Sequence, residues 1–278
     1  MKITVHENEI ELTGINDLDL EKTFKCGQCF RWGVEENGTY TGIAFGNVLK
    51  IRQCGDSVFI ACSEKEFYSV WYDYFDLTRD YSLIRKQLCI DDFMKNAIEY
   101  GKGIRILRQD KWETLCSFII SQNNNIPRIK SIISILCREF GDEIEYNGMV
   151  YYTFPSAAKI AGLKAGDLSR LRCGYRAEYI IRSAGMVAGG AVNLEKLADG
   201  SVENARSALK ALHGVGDKVA DCMMLFGLHM LDAFPVDVWM KRAVVKHYGP
   251  GFDPKIFTPY AGIAQQYMFH YIRNMPAE

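Results

Sequence analysis

At 278 residues, with 48% hydrophobic and 24% charged residues, the chain suits a globular protein of two modest domains or one large one. No apolar run approaches the roughly 18–20 residues of a membrane span. Residues 1–7 lack signal-peptide anatomy, so an intracellular protein is expected. The 9 cysteines are scattered singly through mostly apolar stretches, as in a reducing compartment. Only Cys26-Gly27-Gln28-Cys29 forms a CxxC, and one such pair lacks the second half of a zinc site, so no metal is expected.

The net charge of −1 hides an asymmetry. Residues 1–100 carry 11 Lys and Arg against 17 Asp and Glu, a net of −6; residues 101–278 carry 22 against 17, a net of +5. A basic excess confined to one half suits a surface for a polyanion, although a plain solvated surface gives the same count.

Residues 1–100 read as a β-rich domain with trailing helices. The runs 28–34, 39–45, 48–53 and 57–62 are rich in β-branched and aromatic residues. Asn37-Gly38, Gly46-Asn47 and Gly55-Asp56 separate them as hairpin turns, which predicts an antiparallel meander. Phe30, Trp32 and Tyr40 are expected in its core rather than as a base-stacking platform. Past Ser63 the apolar period lengthens: Phe67, Val70, Trp71 and Tyr74 suggest a helix, followed by helices over 81–88 and 92–100.

Gly101-Lys102-Gly103 marks the expected boundary, and residues 101–278 read as a helical domain, with helices over 112–120, 126–140, 156–161 and 176–187. Two loops stand out. Asn123-Asn124-Asn125 with Pro127 and Arg128 is a capped helix start, yet three amides and an arginine also suit the edge of a base. Arg170, Arg172 and Arg176 surround Gly174-Tyr175, which reads equally as a solvated loop or as an aromatic wedge between phosphate-binding arginines.

The run Leu212-His213-Gly214-Val215-Gly216-Asp217-Lys218 is flanked by two apolar helical stripes, Val202, Ala205, Leu209 and Val219, Cys222, Met223, Phe226. This predicts a helix–hairpin–helix over about 202–228, whose turn at Gly214, Val215 and Gly216 offers free backbone N–H groups to a nucleic-acid phosphate. Lys218 opens the second helix, where the positive end of the helix dipole favours the neutral, nucleophilic amine. Asp237 follows 19 residues later as a natural N-cap of 238–248. A capping carboxylate stays ionised and is suited to stabilise a developing sugar cation. Lys218 and Asp237 are therefore expected to face one cleft.

These residues resemble the helix–hairpin–helix–Gly/Pro/Asp DNA glycosylases, and more narrowly the 8-oxoguanine branch. The likeness rests on residues 214–222, Pro235-Val236-Asp237-Val238, Gly27-Gln28 with Phe30-Arg31-Trp32, residues 103–110, Asn123-Asn124-Asn125-Ile126, Gly174-Tyr175-Arg176-Ala177 and Ala264-Gln265 with Phe269. It implies an α+β protein: an N-terminal antiparallel β-rich domain and an all-α helix–hairpin–helix core, with the C-terminal helix returning to the lesion pocket. It also implies a bifunctional N-glycosylase and AP lyase of base-excision repair, acting as a monomer on double-stranded DNA with 8-oxoguanine opposite cytosine. Lys218 is then the Schiff-base nucleophile and Asp237 assists base departure. The Gly27 carbonyl meets N7–H of the lesion, Cys222 and Phe269 sandwich the purine, and Gln265 reads its Watson–Crick edge. Asn123, Arg128 and Arg176 hold the orphaned cytosine, and Tyr175 fills the gap.

The resemblance implies no required cofactor. The four-cysteine set of iron–sulfur relatives is absent, and the family's hairpin often holds a structural cation on its backbone carbonyls. Trp239 departs from the pattern, since animal members carry a phosphate-contacting histidine there and an indole bears no charge. Two alternatives remain: a glycosylase for other damaged purines, against which Lys218 argues, and a non-catalytic helix–hairpin–helix DNA-binding module.

Overall fold

The computed structural model describes residues 1–274. Its N-terminal part is a six-stranded antiparallel sheet of β1 (Lys2–Val5), β2 (Ile10–Thr13), β3 (Trp32–Val34), β4 (Tyr40–Ala44), β5 (Asn47–Cys54) and β6 (Ser57–Ile60), in the order β1-β2-β6-β5-β4-β3. The expected meander is the β3-to-β6 part. Strands β1 and β2, not anticipated from the sequence, extend it beyond β6 with Ile10 opposite Ile60 and Leu12 opposite Val58.

Alternation decides which face is covered: Leu12, Leu49, Ile51, Val58 and Ile60 are all buried. A short Leu20–Lys25 helix and the helical run from Glu64 to Tyr74 close over them. Phe67–Trp71 within that run is π-helical. Phe24 stacks on Trp32 at 4.1 Å, and the Trp32 indole donates to the Tyr74 hydroxyl at 2.7 Å. Gly42 lies under that indole, where a Cβ would come within 2.3 Å of the ring, so only glycine fits. Trp32 and Tyr40 belong to this core as expected, whereas Phe30 is buried in the helical core, against Phe118.

A second and larger core is built from the helices Tyr81–Leu88, Asp92–Gly101, Lys111–Ser121, Ile126–Phe140, Arg176–Ala188, Val202–Lys210, Asp217–Phe226, Val238–Tyr248 and Ala261–Asn274. The last packs back onto Asp92–Gly101, with Tyr267 lying against Gly101. One further hairpin, β7 (Glu143–Tyr146) and β8 (Met149–Tyr152), turns through Asn147 and Gly148, both with positive φ.

The two cores are joined by polar ties. Asp76 is fully buried: its carboxylate pairs with Arg79 at 2.9 Å, with His229 at 3.3 Å and with Arg108 at 3.4 Å, and accepts from the Tyr81 hydroxyl at 3.1 Å. His229 follows the Asp217–Phe226 helix, so the helix that carries Lys218 is anchored to the sheet side of the molecule.

Candidate active site

The hairpin forms where the sequence places it. Gly214 has φ +76°, and a Cβ there would sit 2.3 Å from the Tyr179 ring, so both backbone and space demand glycine. Gly216 is extended and serves as N-cap of Asp217–Phe226. An Arg206–Asp221 ion pair ties the two hairpin helices together. Burial pushes the Asp221 carboxyl up to about 6, and Arg206 offsets only part of that. Over the turn runs a groove of about 530 Å³ lined by Gln122, Tyr179 and residues 210–216.

Lys218 sits in the first turn of its helix. Its Nζ lies 3.3 Å from Ser121 Oγ and 5.0 Å from the centre of the Phe118 ring. Cys222 is one turn further along the same face. Burial pushes its thiol up to about 11 against the pull of Lys218, so it stands as a neutral thiol. Asp237 caps Val238–Tyr248 as expected, accepting from Met240 N at 2.8 Å.

One cavity, of about 50 Å³, brings together Gly27, Lys218, Cys222, Asp237, Gln265 and Phe269. These come from opposite ends of the chain and are set against the larger core. Gly27 has φ +90°, and a Cβ on it would touch Phe269 Cε1 at 3.5 Å. Gln265 is buried, and its Oε1 has no hydrogen-bond partner. A buried acceptor left unsatisfied at a cavity wall is a site for a donor on a ligand. Phe118, Phe226, Pro235 and Gln266 complete the lining, and sequence reasoning missed all of them. Pro235 carried only its place in the 235–238 run, and the other three only an apolar or uncharged side chain in a buried helix, which marks core residues equally well.

A second cluster gathers beside the hairpin. Asn123, with φ +50°, donates to the Tyr175 hydroxyl at 3.4 Å, and the half-exposed Tyr175 ring lies beneath the Arg176 guanidinium at 4.5 Å. Arg128 is exposed and donates to Arg172 O at 2.7 Å. Arg176 is less free than an open loop suggests: it is buried and donates to Gln122 O at 2.9 Å and to Cys173 O at 3.1 Å. Gln122 also donates to Gly214 O at 3.0 Å, coupling this cluster to the hairpin. Val236, Val238 and Trp239 are exposed next to Asp237 and continue the surface at the cleft mouth.

The Cys26–Cys29 pair is buried with free thiols, and burial pushes that of Cys26 up to about 12. Among the described residues, no group of three or more His, Cys, Asp or Glu could hold a metal ion, and no helix is long and apolar enough to cross a membrane.

Residues 12–115 match the family model described as 8-oxoguanine DNA glycosylase, N-terminal domain, and residues 116–255 match that of the HhH-GPD superfamily base excision DNA repair proteins. The chain is 30% identical over 297 residues to the N-glycosylase/DNA lyase OGG1 of Arabidopsis thaliana, covering 94% of this chain and 79% of that protein. It is 40% identical over 159 residues to the N-glycosylase/DNA lyase of Saccharomyces cerevisiae, a match spanning 53% of this chain and only 42% of the yeast protein. The solved Clostridium acetobutylicum 8-oxoguanine glycosylase/lyase, in complex with duplex DNA containing cytosine opposite 8-oxoguanine, superposes with a TM-score of 0.92 at 39% identity, over 98% of each chain. The sheet-plus-helical architecture, the hairpin and these matches agree: the chain belongs to the 8-oxoguanine DNA glycosylase family of the HhH-GPD base-excision repair superfamily.

Proposed function

We propose that this protein excises 8-oxoguanine from duplex DNA and then nicks the strand, with Lys218 as nucleophile. The observation that carries the reading is the single cavity in which a lysine, a carboxylate, a positive-φ glycine and an unpartnered buried amide oxygen meet. As a neutral amine, Lys218 attacks C1′ of the extruded nucleotide; the N-glycosidic bond breaks and its electron pair leaves with the base. The amine gives up its proton and the sugar ring opens to the Schiff base, from which β-elimination cleaves the 3′ C–O bond. Asp237, anchored by its cap, stabilises the positive charge that develops at the sugar.

Recognition follows from donor and acceptor placement. Guanine has an acceptor at N7, whereas 8-oxoguanine has a donor there, so the Gly27 carbonyl pairs with the lesion and meets guanine lone pair to lone pair. Sites built on one such bond discriminate by roughly 10⁴–10⁵. Gln265 Oε1 takes a donor from the Watson–Crick edge, and Cys222 and Phe269 face the two sides of the ring. A volume of about 50 Å³ holds a few waters rather than a purine, so base entry widens the site, with the half-buried Phe269 as the movable wall.

Tyr175 fills the vacated stack, and Asn123, Arg128 and Arg176 hold the cytosine; Arg176 does so by exchanging its carbonyl partners for the base. Gly214, Val215 and Gly216 present backbone to the phosphates. The carbonyls of Leu212, His213 and Gly214 each accept one hydrogen bond and keep a second lone pair, which suits a structural cation at the hairpin. We further read the protein as a monomer that acts on DNA inside the cell.

Borohydride trapping on an 8-oxoguanine·cytosine duplex tests the reading. A covalent adduct is expected from the native protein and none from Lys218→Gln; equal yields from both would mean the nucleophile is another residue. A glycosylase that activates water with Asp237 alone gives base release without adduct, and a pure binding module gives neither.

A further inference from the structure

The turn that carries Gly27 is held on both sides by amides that take no part in the chemistry. Gln28 is fully buried; its Nε2 donates to Arg105 O at 2.8 Å and to Thr23 O at 3.0 Å, and its Oε1 accepts from Leu107 N at 2.9 Å. Gln109 Nε2 donates to Gln28 O at 2.8 Å, while Gln109 N donates to Phe226 O at the end of the Lys218 helix. Across the pocket, Gln266 is buried and its Nε2 donates to Cys26 O at 3.2 Å. Gln266 adjoins Gln265 and shares its helix with Phe269. The carbonyls before and after Gly27 are thus both pinned, the first of them by the helix that supplies the other contacts to the base.

This arrangement answers a problem that glycine creates. A residue without Cβ rotates freely about its backbone bonds, and a carbonyl that swings away from N7 no longer rejects guanine. Hydrogen bonds weaken steeply with angle, so selectivity needs the acceptor held, not merely present. We propose that Gln266 is a specificity-positioning residue: by gripping Cys26 O it fixes the Gly27 carbonyl relative to Gln265 and Phe269, and so sets the preference for 8-oxoguanine over guanine. This rests on the reading of the pocket given above.

Gln266→Met keeps the length of the side chain and removes the donor. Three single-turnover rates are compared: excision from an 8-oxoguanine·cytosine duplex, excision from a guanine·cytosine duplex, and nicking at a preformed abasic site, which needs Lys218 but no base in the pocket. The ratio of the first two is expected to fall about 10-fold, the scale of a sub-ångström misplacement, and by more than nicking falls. An unchanged ratio overturns the proposal. Should Gln266→Met lose its cooperative melting transition, Gln266→Leu is measured, whose side chain has no donor at any pH; the same fall supports the clamp and an unchanged ratio rejects it. Failure of the substrate reading itself shows separately, as a native protein that nicks abasic DNA but releases no 8-oxoguanine.

Discussion

Lys218 Nζ lies 3.3 Å from the Ser121 hydroxyl, which itself donates to Phe118 O at 2.8 Å. The one proton of that hydroxyl is therefore spent, and its oxygen faces the amine purely as an acceptor. Under the proposed reaction it orients an N–H of Lys218 and thereby aims the lone pair that would attack. Ser121→Ala is expected to slow formation of the borohydride-trapped adduct by about 10-fold while DNA affinity stays constant. Equal trapping rates in variant and native protein would show that Ser121 has no aiming role.

One pair of substitutions separates the observed cap made by Asp237 from its proposed role in base departure. Asparagine caps a helix as well as aspartate does, so Asp237→Asn should retain the native melting temperature and lose about 10²–10³ in base excision, the scale for a charge-stabilising group. Asp237→Ala should lose activity similarly and also about 1 kcal/mol of stability. A drop in melting temperature for the Asn variant would contradict the separation.

Stability should depend on pH through Glu113. Burial pushes its carboxyl up from 4.5 to about 7, and the Arg31 guanidinium 3.2 Å away offsets only part of this. The folded chain then binds more protons than the unfolded one between those values. The contribution is complete below about 4.5 and is lost as pH rises through about 7. Glu113→Gln should flatten the denaturation midpoint across that window. Asp221, raised to about 6, has the same sign over a narrower range and accounts for part of any slope that remains.

The wedge role of Tyr175 predicts a dependence on how firmly the lesion is paired. Tyr175→Ala should slow excision opposite cytosine by about 10-fold or more, and far less when the lesion is mispaired and extrusion is already cheap. Equal losses on paired and mispaired duplexes would point to a general DNA-binding contact instead.

Legibility followed locality. The helices Tyr81–Leu88 and Ile126–Phe140 could be bounded from their apolar period, with the asparagine cap at Asn125 as a further local signal for the second. Strands β1 and β2 span four residues each; they pair with each other locally, but the strand β6 that joins them to the sheet lies far along the chain. The β7–β8 hairpin has an Asn147-Gly148 turn, but β8 is half-exposed or exposed at every position and β7 alternates only weakly. Lys218 and Asp237 belong to a compact motif and could be argued from chemistry. Gly27, Gln265 and Phe269 needed the family resemblance, since nothing local says that they meet. Gln266 and Phe118 escaped altogether, being buried side chains on helices whose neighbours are also buried.

Gly27 and Phe269 face one another across the cavity, although about 240 residues separate them along the chain, a contact of very high sequence separation. During synthesis the helix bearing the amine leaves the ribosome well before Ala261–Asn274 does. A chain without Ala261–Asn274 keeps Lys218 and Gly27 but lacks Gln265, Phe269 and part of the larger core, so the cavity has no wall on that side. The proposed base pocket therefore closes only when two segments far apart in the chain have docked, which places it among the last features of the fold to form.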